Sequence, residues 1–95
     1  MINENDMITV PCDVYKLKKD NFWMIKNLID NFDKQYDSIE ISPRLNNYIL
    51  HGVIDNKKVF LGFYSLSEIS EDILKHCTKT AEYVSLIEAY PDKAV

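Results

Sequence analysis

Residues 48–64 read YILHGVIDNKKVFLGFY, from Tyr48 to Tyr64. Two runs of β-branched and aromatic residues, Tyr48 to Ile54 and Val59 to Tyr64, flank the polar stretch Asp55-Asn56-Lys57-Lys58. That is the pattern of a β-hairpin, two strands joined by a turn. Gly52 and Gly62 stand inside the strands, where glycine marks a bulge or a close approach of another group to the backbone. The hairpin makes sheet the organising element, and the rest of the chain is placed around it.

Upstream, Ile39 and Ile41 alternate with Ser38, Glu40 and Ser42, which predicts a short strand ended by Ser42-Pro43. Before it, Phe22, Ile25, Leu28, Ile29, Phe32 and Tyr36 recur at helical spacing. They predict a helix from Asn21 to about Gln35, with Asp20 as N-cap. Met7 to Leu17 reads as a strand. Pro11 lacks an N–H for the ladder, so this strand is expected at a sheet edge or with a bulge. Downstream, Ser65-Leu66-Ser67-Glu68 fits a capping box and predicts a helix to about Cys77. On it Leu66, Ile69, Ile73 and Cys77 share a face. Glu82 to Tyr90 reads as a strand by composition and also allows a short helix with Val84 and Ile87 inward. The expected order is β-α-β-β-β-α-β. This is an α+β fold, a small single domain over residues 1–95, with an antiparallel sheet and two helices packed on one face.

Composition narrows the function classes. The chain has 95 residues, 46% of them apolar, and a net charge of -4. One domain of this size buries a single modest core. Arg44 is the only arginine, which disfavours a generic nucleic-acid binder, because such proteins rely on Lys/Arg contacts to phosphate. Residues 1–6 are polar and acidic, with neither the basic nor the apolar region of a signal peptide. No apolar run reaches the length of a membrane helix. A cytoplasmic location with Cys12 and Cys77 reduced is the expectation.

Chemistry-bearing constellations are sparse. Cys12, His51, His76 and Cys77 lack the spacing of a metal site, and neither cysteine stands in a nucleophile motif. Asp72 and His76 sit four apart, the spacing of an ordinary helix pair. The two isolated glycines form no phosphate loop. No catalytic residue, metal or cofactor is assigned, and the chain is read as a non-enzyme.

Trp23, the only tryptophan, falls off the apolar stripe of the first predicted helix, and exposed Trp is enriched at binding hot spots. Asp30, Asp33 and Asp37 follow that helix at i, i+3 and i+7. Glu68, Glu71 and Asp72 line the outer face of the second helix. These seven residues are the candidate partner-binding set. They point to a protein partner with a basic surface. In sharper form they present a DNA-mimicking carboxylate array to a basic groove. The abundance of Ile, Asn, Lys, Asp and Tyr suits an AT-rich genome, so a small phage-type accessory protein that inhibits or redirects a host protein is the leading expectation. A dimer formed through a free sheet edge is also expected.

The stretch from Tyr48 to Ile73, with Lys57, Lys58, Val59, Leu61, Gly62, Tyr64 and Glu68, resembles the three-stranded sheet and helix of plant AP2 domains and phage integrase arm-binding domains. The resemblance covers about a quarter of the chain and implies DNA contact through the sheet. The strands here carry none of that family's groove-reading Arg and Trp residues. Lys58-Val59-Phe60-Leu61-Gly62-Phe63 is similar to the aromatic strand motif of RNA-recognition domains, with Val59 where that motif has glycine. A nucleic-acid-binding module built on the 48–64 hairpin, with Arg44, Lys57 and Lys58 as phosphate contacts, is therefore the alternative.

Overall fold

The hairpin forms as a two-residue turn. In the computed structural model, which describes residues 9–85, Asp55 and Asn56 adopt φ of 52° and 64°. Two successive left-handed residues are what a type I′ turn requires, and Asp and Asn tolerate that region well. The turn is tighter than the sequence suggests, because Lys57 and Lys58 already belong to the second strand. The Asp55 N–H also donates to the Asp37 carboxylate at 3.4 Å.

The described elements are β1 (Thr9–Lys18), a 3-10 segment (Lys19–Ile25) running into α1 (Lys26–Ile29), β2 (Ser38–Pro43), β3 (Tyr48–Ile54), β4 (Lys57–Tyr64), α2 (Glu71–Lys75) and β5 (Thr78–Ser85). The strands make one antiparallel sheet in the order β4-β3-β2-β1-β5. The protein is mostly sheet with two short helices.

Alternation selects the buried face. Leu17, Ile39, Ile41 and Leu50 point to one side of the sheet and are buried there with Ile25, Tyr36, Ile69 and Ile73 from the connecting segments. The ring of Tyr36 lies where a Cβ on Gly52 would sit, so glycine at 52 is what lets that ring reach the sheet.

Several sequence expectations are corrected. β1 is not an edge strand; it lies between β2 and β5. It pairs with β2 only from Tyr15 to Lys18, however, so among the described residues β5 is the sole strand beside Pro11. The long first helix does not form. A 3-10 segment without a side-chain cap leads to one turn of α-helix, which ends at Ile29. Asn27, Asp30, Asn31 and Asp33 are weak helix formers whose side chains compete for backbone groups. Asn31 Nδ2 donates to the Asn27 carbonyl at 3.2 Å. The apolar stripe nevertheless packs as a set, with Phe22, Leu28, Ile29 and Phe32 lying against the core.

The second helix starts five residues late. Only half of the capping box forms: the Glu68 carboxylate accepts from the Ser65 N–H and Oγ–H, while the Glu68 N–H donates to the Ser65 backbone carbonyl and not to its side chain. Yet Ser70 is the working N-cap, accepting from the Ile73 N–H at 3.4 Å, and only Glu71–Lys75 is helical. Ile69 and Ile73 are buried as expected, but Leu66 is exposed. The last strand begins at Thr78 and includes Glu82 to Ser85; the remainder of the stretch to Tyr90 lies outside the described residues, as do Met7 and Ile8.

Candidate interaction surface

A β-bulge in β4 creates the most conspicuous surface feature. Phe60 pairs with His51, but Gly62 pairs with Leu50, so Leu61 is an extra residue in the ladder. Gly62 takes φ of 139°, a conformation that side-chain-bearing residues rarely adopt. Residues three apart on a regular strand point to opposite faces. The bulge turns Phe60 and Phe63 to the same face, where they stand opposite His51 and Ile49. Their ring centroids are 5.4 Å apart in an edge-to-face contact, and His51 meets Phe60 at 5.9 Å. Phe60 is 55% exposed and Phe63 58%. These two rings are the residues that simple alternation overlooks; Gly62 is the sequence signal for them.

On the same face, Lys58 Nζ lies 2.9 Å from Glu40 Oε1 on β2 and 2.8 Å from Glu82 Oε1 on β5. β4 and β5 are the two margins of a five-stranded sheet. On a flat sheet four strand gaps separate them by about 19 Å, more than two side chains bridge. The sheet is therefore curled towards this face, and the ion pairs clasp its margins. Glu40 is the deepest member, with a side chain only 13% exposed. Desolvation works against the Lys58 charge, but hydrogen bonds to Glu82 and Glu40 outweigh it and raise its pKa above 10.5.

Two cavities flank the segment between α1 and β2. A mixed-polarity groove of about 340 Å³ has Phe32, Asp33, Lys34 and Tyr36 on one side and Phe60 and Leu61 of β4 on the other. An apolar cavity of about 200 Å³ is lined by Phe22, Ile29, Phe32, Tyr36 and Ile39, with Lys19. The second has room for little more than one side chain.

The sequence-predicted site residues do not form one surface of helix faces. Trp23 is 68% exposed and touches His76 edge to face, 6.5 Å between centroids. Asp30, Asp33 and Asp37 lie beyond the end of α1, so the helical carboxylate row is replaced by an irregular segment. Of these three, Asp33 lines the groove. The Glu68 carboxylate accepts from Ser65 N–H and Oγ–H, and these bonds hold its pKa below the usual range. Glu71 and Asp72 occupy the first turn of α2, where carboxylates favour helix formation.

The reactive-residue candidates are dispersed. Among the described residues no group of three His, Cys, Asp or Glu is placed to hold a metal. His76 Nδ1 donates to the Asp72 carbonyl at 2.8 Å and not to its carboxylate. The Cys77 thiol donates to the Ile73 carbonyl at 3.2 Å, and burial pushes its pKa up to about 11, away from nucleophilic use. Cys12 and Cys77 are both free thiols. Among the described residues no helix is long and apolar enough to cross a membrane.

No protein-family model matches this chain, and no curated protein or solved structure is found to be similar to it.

Proposed function

We propose that this chain is a non-catalytic protein-interaction module that engages its partner through β4, with Phe60 and Phe63 as the anchoring side chains. One observation carries the reading: a bulge with a positive-φ glycine holds two adjacent phenyl rings out to solvent. Exposed, mutually oriented aromatics on a rigid strand suit a binding hot spot, which needs large apolar area at low entropic cost. The reading takes the two helical segments to cover the opposite face of the sheet, so the bulged face is left for contact. A partner with basic character fits the net charge of -4. Inhibition or redirection of a host protein by a small phage-type factor remains the biological form of the proposal. Its DNA-mimicking version has the weaker footing, since the carboxylates no longer follow one helix. The test is partner capture by wild-type protein and by Phe60→Ser/Phe63→Ser, with retained folding checked by circular dichroism. Equal capture by both removes β4 as the contact.

The same rings favour a second reading, stacking of single-stranded nucleic acid bases on Phe60 and Phe63. Lys58 is engaged by Glu40 and Glu82, and the Arg44 guanidinium donates to its neighbour's carbonyl, the Pro43 oxygen, at 3.0 Å. Lys57 pairs with Ile54 and so stands on the other face of β4 from the rings. Salt-sensitive binding of a fluorescent oligonucleotide, lost in the double variant, would favour this reading over the first.

A further inference from the structure

The apolar cavity of about 200 Å³ lies on the core side of the sheet, between the 3-10 segment and β2. Phe22, Ile29, Phe32 and Tyr36 line it, and Ile39 of β2 is its sheet-side wall. All five belong to the core or pack against it. The Tyr36 wall is held from two sides, against Gly52 on the sheet and edge to face with Phe32 at 6.1 Å. Protein interiors hold few voids larger than a water molecule. An apolar cavity of about 150 Å³ is enough for one benzene, so this one matches a phenyl ring or a short alkyl chain.

The polar lining selects the head group. Lys19 and Gln35 complete the lining, and no carboxylate takes part in it. Both are exposed, so they mark the solvent side of the cavity. Ammonium and carboxamide N–H groups donate hydrogen bonds. Among the described residues no carboxylate forms an ion pair with Lys19. A carboxylate head group therefore meets two donors and an unengaged cation. An ammonium head group meets like charge, and a neutral one forgoes the ion pair.

We propose that this cavity binds a small carboxylic acid, with an aryl or short alkyl group among Phe22, Ile29, Phe32, Tyr36 and Ile39 and the carboxylate on Lys19 and Gln35. The site is on the opposite face of the sheet from Phe60 and Phe63. It therefore stands or falls separately from the reading of β4 as a contact surface.

The experiment is an NMR titration of the full chain with phenylacetate and with phenylacetamide, its uncharged isostere. Phenylacetate should give amide shifts at Phe22, Ile29, Phe32 and Ile39 that saturate below about 10 mM. It should bind about fivefold more tightly than phenylacetamide, the scale of one exposed ion pair. Lys19→Gln should erase that preference while leaving phenylacetamide binding unchanged. Ile29→Phe fills the space and should abolish binding of both compounds, with retained folding checked by circular dichroism. Equal affinity for the two compounds in the wild type, a preference that survives in Lys19→Gln, shifts confined to other residues, or no saturable shift up to about 10 mM would overturn the proposal. So would undiminished binding by a folded Ile29→Phe variant.

Discussion

Replacing Gly52 by Ala should destabilise the protein through a single side-chain collision. The added Cβ would overlap three carbons of the Tyr36 ring, Cγ, Cδ1 and Cε1. Tyr36 is buried and braced against Phe32, so the ring cannot swing aside without opening the core. Overpacking of this kind costs about 1–3 kcal/mol. Relief of glycine's backbone entropy returns about 0.5–1 kcal/mol. Because the overlap involves ring carbons of a buried residue, a net loss of about 2 kcal/mol is expected, which lowers Tm by about 8–16 °C for a domain of this size. Urea and thermal unfolding followed by circular dichroism would measure it. The same substitution in a Tyr36→Leu background should be neutral or stabilising, giving a coupling of about 2 kcal/mol between the two sites. If Gly52→Ala alone is as stable as wild type, the close approach of Tyr36 to the sheet is wrong.

Other consequences are equally direct. Gly62→Ala places a side-chain-bearing residue at φ of 139°; it should cost about 1–3 kcal/mol and, by disturbing the bulge, reduce partner binding together with stability. Lys58 has its pKa raised above 10.5, so the stability it contributes is fully present below pH 10.5 and is lost as pH rises through the folded-state value. Lys58→Met should therefore be less stable than wild type at neutral pH, by no more than about 1 kcal/mol for so exposed a group, and the two unfolding curves should converge at strongly alkaline pH. The Cys77 thiol, raised from 9.0 to about 11, holds about a hundredth of the usual thiolate at pH 8. Iodoacetamide at that pH should label it far more slowly in the folded protein than in urea, as read by peptide mass spectrometry.

The legible part of the fold is the part governed by local rules. The polar run Asp55 to Lys58 announces a turn, whose two central residues Asp55 and Asn56 tolerate positive φ, and alternation with Ser38, Glu40 and Ser42 sets Ile39 and Ile41 on one face. Burial was legible even where the element was not: Phe22, Ile25, Leu28, Ile29, Phe32 and Tyr36 reach the core although α1 is one turn long. Helical spacing reports which residues seek the interior, whereas helix persistence depends on backbone competition from Asn27, Asp30, Asn31 and Asp33. β1 misleads because Pro11 describes a local gap in pairing and not the place of the whole strand. The surface was the least legible. Phe60 and Phe63 share a face only because Leu61 is an extra residue, and a bulge is a property of the pairing with β3. The clasp of Lys58, Glu40 and Glu82 joins positions up to 42 residues apart in the chain. It depends on sheet order and curvature, neither of which has a sequence period.

The claim that β4 is the contact surface is tested most directly by affinity capture from native lysate with and without nuclease, comparing wild-type protein, Phe60→Ser/Phe63→Ser and Trp23→Ala at equal folded concentration. The account predicts a specific protein retained by wild type and by Trp23→Ala, and lost by the double variant. Retention by the double variant with loss in Trp23→Ala would contradict it and return the contact to the 3-10 segment; capture that disappears with nuclease would contradict it in favour of base stacking on the hairpin.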